Sequence, residues 1–198
     1  MDVRRLVLLA LPGLSLGIVG ATHPGSLSYP TSHHWWQMHL AGMFVFPLVG
    51  LALSVLVWGR RDPLALVVHA GAFVYAVCYT ALDVISGLTA GWVTYRLGPG
   101  QVRPDEVDYI FQIGGRVGDV GEWGLLVAAG AASIEVARRT GWPALVGAVP
   151  LLLGTWWVLE DHIFPPYGAA GAALIGLGTA GLAWAQGREA RHYSLADA

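Results

Sequence analysis

The sequence predicts an all-α protein, a polytopic transmembrane bundle of six spans with its N- and C-termini on the cytoplasmic side. Three observations lead there. The 198 residues are 55% hydrophobic and only 12% charged, with a mean hydropathy of +0.57. Soluble domains run near 45–50% apolar and about 25% charged, so this chain has too few charges to coat a globule in water. Six apolar stretches recur, at about 6–21, 36–58, 64–92, 119–137, 142–159 and 167–186, each near the roughly 20 residues that cross a bilayer. The breaks between them carry the arginines in alternation. Arg4, Arg5, Arg60, Arg61, Arg138, Arg139, Arg188 and Arg191 all fall on one side if the N-terminus is inside, which satisfies the positive-inside rule at every connection. Arg96, Arg103 and Arg116 fall on the other.

The first span follows Arg4 and Arg5. It also reads as a signal peptide ending at Val19-Gly20-Ala21, and the retained anchor is the expectation adopted. The outer segment 22–35 holds His23, His33 and His34, which could gather a metal. The second span opens on Trp35-Trp36-Gln37-Met38-His39, and Pro47 below frees a backbone carbonyl. The third span carries His69 at its inner end and Asp83 well inside. Nine residues separate Asp83 from Trp92, an interfacial tryptophan, which at 1.5 Å per residue puts the carboxyl about 13 Å deep. A lone aspartate there costs at least about 2.5–3.5 kcal/mol, so it must pair, protonate or face a wet cavity. It reads either as a tie between helices or as a site.

In the outer segment 93–118, Pro104-Asp105-Glu106 has the pattern of a helix start, and Val107 to Ile113 either lies on the membrane or extends the fourth span. The fourth span places Arg116, Asp119 and Glu122 on one face, where an Arg116–Asp119 pair would leave Glu122 free. Glu135 is expected to pair with Arg138 and Arg139 on a solvated face. The fifth span ends in Trp156-Trp157 and then Glu160-Asp161-His162, before Pro165-Pro166. Neighbouring helical residues point about 100° apart, so Glu160 or His162 is expected inward and Asp161 outward. The sixth span carries Gly168, Gly171, Gly176, Gly178 and Gly181. Such stripes permit close helix packing, either within one bundle or against a second copy of the chain. No linker or internal repeat divides the chain, so residues 1–198 read as one membrane domain.

Several function classes drop out. The chain contains no lysine and no asparagine, which removes a lysine Schiff base, a P-loop and N-glycosylation. Cys78 is the single cysteine, so neither an intrachain disulfide nor a multi-cysteine metal site can form. A net charge of -2 argues against a nucleic-acid partner and leaves membrane lipids as the surroundings. What remains is ionisable chemistry gathered at the outer end. The first reading is an outward-facing pocket that binds or transports a metal ion or a small protonatable ligand, with Asp83, Tyr79, Glu122, Glu160 and Trp157 as the ligand-binding residues. A divalent metal, if one binds, would take His39, Glu160 and His162. An intramembrane acid–base enzyme acting on a lipid- or terpenoid-like substrate would use Asp83, Glu122 and His39. A third reading is a small subunit of a larger membrane complex.

Overall fold

The computed structural model describes residues 2–196, with side chains through Glu189. The side chain of Arg191, assigned above to the inner side, lies outside the described residues. Among the described residues all regular structure is helical. Helix α1 spans Val3–Gly20 and is capped by Asp2, whose carboxylate accepts from the Arg4 amide at 2.9 Å. Helix α2 spans Tyr29–Leu56; Pro30 sits in its first turn and the Ser28 amide donates to Thr31 Oγ1 at 2.9 Å. Helix α3, Pro63–Leu82, is capped by Asp62 and runs without a break through a π-helical turn, Asp83–Thr89, into α4, Ala90–Leu97. The amide of Ala65, and behind it Arg60, hold the Asp62 carboxyl below the usual carboxylate range. Helix α5 spans Glu106–Thr140, α6 spans Leu145–Asp161 and α7 spans Tyr167–Ala196.

Six rods are long and apolar enough to cross a membrane: Val3–Gly20, Tyr29–Leu56, Pro63–Leu97, Glu106–Thr140, Trp142–Asp161 and Tyr167–Glu189. Two begin well before the apolar runs of the sequence. The second starts at Tyr29, and the fourth at Glu106, because the proline and acids at 104–106 nucleate a helix that continues straight into the apolar run.

The helices close into a ring in which α1 packs on α7, α7 on α6, α6 on α5, α5 on α3, α3 on α2 and α2 back on α1. Glycine sets the closest crossings. A Cβ added to Gly13 would stand 2.4 Å from the Gly176 nitrogen, and one added to Gly147 would stand 2.2 Å from the Leu182 nitrogen. Gly168, Gly171, Gly176, Gly178 and Gly181 of α7 all face atoms of α1, α6 or the turn before α7. These glycines therefore serve close crossings within the chain.

The start of α1 and the later part of α7 lie at one end of the bundle, where Arg5 donates to the Gln186 side chain at 3.4 Å. Glu135 lies at that end too, but not as expected. It is buried at 3% exposure and faces Arg60 at 2.9 Å, within ion-pair range though not aligned as a hydrogen bond. Arg138 and Arg139 point outward instead. The helical spacing was right for an i+3 or i+4 pair, but the α2–α3 turn brings a closer cation across. At the opposite end a small apolar cluster of Leu27, Trp35, Ala90 and Val107 sits apart from the main core. Between the two clusters lies a cavity.

Candidate functional site

The cavity has a volume of about 400 Å³. Four elements and one loop build it. From α2 come Trp35 and His39, one turn apart. From α5 comes a single face, Phe111, Gly115, Gly118, Asp119 and Glu122, at spacings of three and four. The end of α6 supplies Glu160, Asp161 and His162, and the loop before α2 supplies His23. Asp83, Ser86 and Gly87 come from the π-turn. A π-turn carries one residue more per turn than an α-helix, and such turns recur at functional sites. Glycines let the walls close in. A Cβ on Gly87 would stand 2.1 Å from His39 Cδ2, and one on Gly42 would stand 3.1 Å from Asp83 Oδ1. Gly115 is the exception, since a side chain added there meets nothing within 4 Å.

The carboxylates and imidazoles differ in how they are satisfied. Asp83 is 2% exposed, and neither carboxylate oxygen has a hydrogen-bond partner. Among the described residues it makes no hydrogen bond to another helix. Ser86 Oγ beside it is likewise unpartnered. Glu122 is 8% exposed and faces the Tyr79 hydroxyl, which is also hydrogen-bonded to His162 Nδ1. His39 Nδ1 bonds the Trp35 carbonyl at 2.6 Å, His23 Nδ1 bonds the Pro24 carbonyl at 2.8 Å, and the two Nε2 atoms face each other at 3.4 Å. Burial pushes the His23 imidazole down to about 4. Burial, and behind it the neighbouring His23 and His39, push His162 down to about 3. Both rings outside the spans are thus neutral near pH 7. His162 also sits at φ 52°, a backbone region costly for a residue with a Cβ, which turns its ring inward at the end of α6.

Of the residues expected from sequence, Asp83, Glu122, His39, His162 and Glu160 all line the cavity. Tyr79 stands just behind the wall, fully buried and stacked on His162. Of the last polar triplet His162 turns in, while Glu160 and Asp161 are exposed and form the rim. Trp157 does not take part; it packs on Tyr167 and along Gly171. Arg116 makes no ion pair with Asp119 among the described residues. His33 and His34 do not join His23; they are exposed, His33 lying against Trp36 and Tyr95 and His34 bonding the Thr22 carbonyl. Among the described residues no three His, Cys, Asp or Glu side chains converge closely enough to hold a metal, so His39, Glu160 and His162 share a cavity but not a coordination sphere.

Nothing in the sequence pattern marks His23, Phe111 or Phe164 as cavity residues, yet all three line the cavity. For His23 the signal lies in chain length instead. The connection between Gly20 and Tyr29 is short, so whatever it carries must fold over the end of the bundle beside the start of α2.

Comparisons with protein-family models, with characterised proteins and with solved structures find no match. The cavity's own chemistry is what remains to speak for a function.

Proposed function

We propose that this is a multi-pass membrane protein that binds a cation in a recess open to the extracytoplasmic side. The membrane setting rests on the surface. Leu8, Phe44, Leu48, Phe73, Val127 and Val149 are all exposed around the bundle, far more apolar area than a water-soluble protein tolerates. Exposed Trp58 and Trp142 mark the arginine end, and Trp92, Trp123 and Trp156 the cavity end, as two interfacial belts would. The arginine end is the cytoplasmic one by the positive-inside rule, so the cavity faces out.

One observation carries the cation reading. Asp83 buries two carboxylate oxygens with no partner inside a cavity whose other ionisable lining is acidic or imidazole. Asp119, Glu122, Glu160 and Asp161 add negative charge, and no arginine lines the wall. Burying an unpaired carboxylate is expensive, and a cation removes the expense. Trp35, Phe111 and Phe164 supply ring faces that suit a small protonated amine as well as a metal ion. Beneath the cavity Phe46, Tyr75 and Tyr79 stack closed, each no more than 2% exposed, so the cation is held rather than passed through in this conformation.

The test is thermal unfolding of the detergent-purified protein against Zn2+, Mn2+, Ca2+ and a set of small amines. At a hundred times its Kd a ligand adds about 2.7 kcal/mol, so at least one cation raises Tm by several degrees. Asp83→Asn and the cavity-filling Gly115→Phe lose that response. If no cation moves the wild-type Tm, the reading fails.

The Tyr79–His162 hydrogen bond, with Glu122 opposite, favours one second reading: acid–base catalysis on an apolar substrate in the same cavity. Tyr79→Phe separates the two, because it leaves cation affinity intact under the first and abolishes turnover under the second.

A further inference from the structure

The two histidines that meet across the cavity pose a problem that the hydrogen bonds around them make explicit. A backbone carbonyl only accepts, so the Nδ1 atoms of His23 and His39 must each carry a hydrogen to bond Pro24 and Trp35. In the neutral tautomer that this fixes, Nε2 on each ring is a bare lone pair. The two Nε2 atoms nevertheless point at each other at 3.4 Å, with ring planes at 87°. Two lone pairs at that separation repel unless something positive lies between them. Both residues are buried, at 4% and 5% exposure, and among the described residues neither Nε2 atom has another protein partner.

We infer that His23 and His39 are a two-nitrogen clamp for a borderline divalent transition metal, Zn2+ being the probe of choice, held through both Nε2 atoms at the inner wall of the recess. The inference rests on the cation reading above and narrows it. The geometry fits. With metal–nitrogen bonds of about 2.0–2.1 Å, nitrogens 3.4 Å apart subtend an angle at the metal of about 110°, the tetrahedral value. Imidazole selects zinc, copper, iron or nickel over calcium and magnesium, which prefer all-oxygen shells. The carbonyl bonds to Nδ1 orient both rings and raise their basicity, as the partners of metal-bound histidines do. No third protein ligand shares the sphere among the described residues. The remaining positions are open to water or to an incoming anionic group, the arrangement of a metal that exchanges or reacts rather than one that staples a fold. Asp83 and Glu122 line the same cavity and draw the dication in by charge.

The experiment uses the full chain in detergent, stripped with chelator and then loaded with Zn2+ against a competing chromophoric chelator. The wild type takes up one Zn2+ per chain. His23→Gln and His39→Gln each weaken binding by more than the roughly 10–100-fold that a lost outer partner costs, while His33→Gln does not. Co2+ in the same site gives the intense visible absorption of a four-coordinate ion. X-ray absorption on the Zn2+-loaded wild type, which needs no variant to fold, counts two imidazole nitrogens. Zn2+ binding that survives both glutamine variants, a weak octahedral Co2+ spectrum, or an all-oxygen shell overturns the clamp. Mn2+, Ca2+ or amine binding that depends on Asp83 but not on His23 overturns it too while leaving the cation reading standing. A wild type that binds no cation at all ends both.

Discussion

At the scale of single residues, Asp83 is where stability and use should pull in opposite directions. A buried carboxylate without a partner is a cost to the empty protein, and groups of that kind are kept for function. Asp83→Asn keeps the shape that fits against Gly42 and removes the charge. It should raise the unfolding temperature in chelator, by the equivalent of about 1–3 kcal/mol. It should also erase the stabilisation that a cation gives the wild type. Scanning calorimetry of both proteins, with and without ligand, reads the two signs. A variant that unfolds earlier in chelator would mean that Asp83 ties helices after all. That Asp83 sits within an apolar run is legible in the sequence; that it is buried in a cavity wall is what the structure adds. The partners that meet around it were not legible. His23 is separated from His39 by sixteen positions and a helix start, and nothing in the spacing says that their Nε2 atoms face one another.

At the scale of elements, the number of helices could be read from the apolar runs, but two features could not. The π-turn Asp83–Thr89 leaves no mark in hydropathy. It arises where α3 runs into α4 against close neighbours. Gly114 accommodates Ser86, Gly87 accommodates His39, and Gly91 accommodates Trp35 and Trp36. The glycine stripes were visible, but not which way they face. The structure sorts them, and a pair of variants with opposite expected signs checks the sorting. At Gly130, in α5, an added Cβ meets nothing within 4 Å. Gly130→Ala should stabilise by about 0.5–1 kcal/mol through backbone entropy alone. At Gly176 the same Cβ would stand 2.4 Å from the Ala10 carbonyl oxygen, on the α1–α7 crossing. Gly176→Ala should cost about 1–3 kcal/mol, because one backbone must move off the other. Denaturation in mixed micelles resolves a difference of this size, and equal effects at the two positions would contradict the helix ring.

At the scale of the whole molecule, charge placement and cavity placement make one joint statement. The described arginines of the breaks, from Arg4 and Arg5 through Arg60, Arg61, Arg138 and Arg139 to Arg188, gather at one end, and the acids and buried histidines that line the cavity at the other. Polar groups can be tolerated in an apolar bundle only where helices shield them together or water reaches them, so the acids and imidazoles share one recess instead of being scattered. That recess is useful for capturing an outside cation only if its rim faces outward. The rim residue Asp161 and the opposite-end residue Arg139 are both exposed, so each can be replaced without disturbing packing. Cys78 is the single native cysteine, and Cys78→Ser gives a silent background. In intact cells a membrane-impermeant maleimide should label Asp161→Cys at once and Arg139→Cys only after permeabilisation. The reverse pattern would turn the cavity towards the cytoplasm and make any cation it binds an internal one. Labelling of both from outside would mean that the odd and even helices do not all cross. The first result removes the premise that the carboxylates sample the extracytoplasmic solution, and the second removes the six-span topology, whatever ion the histidines prefer.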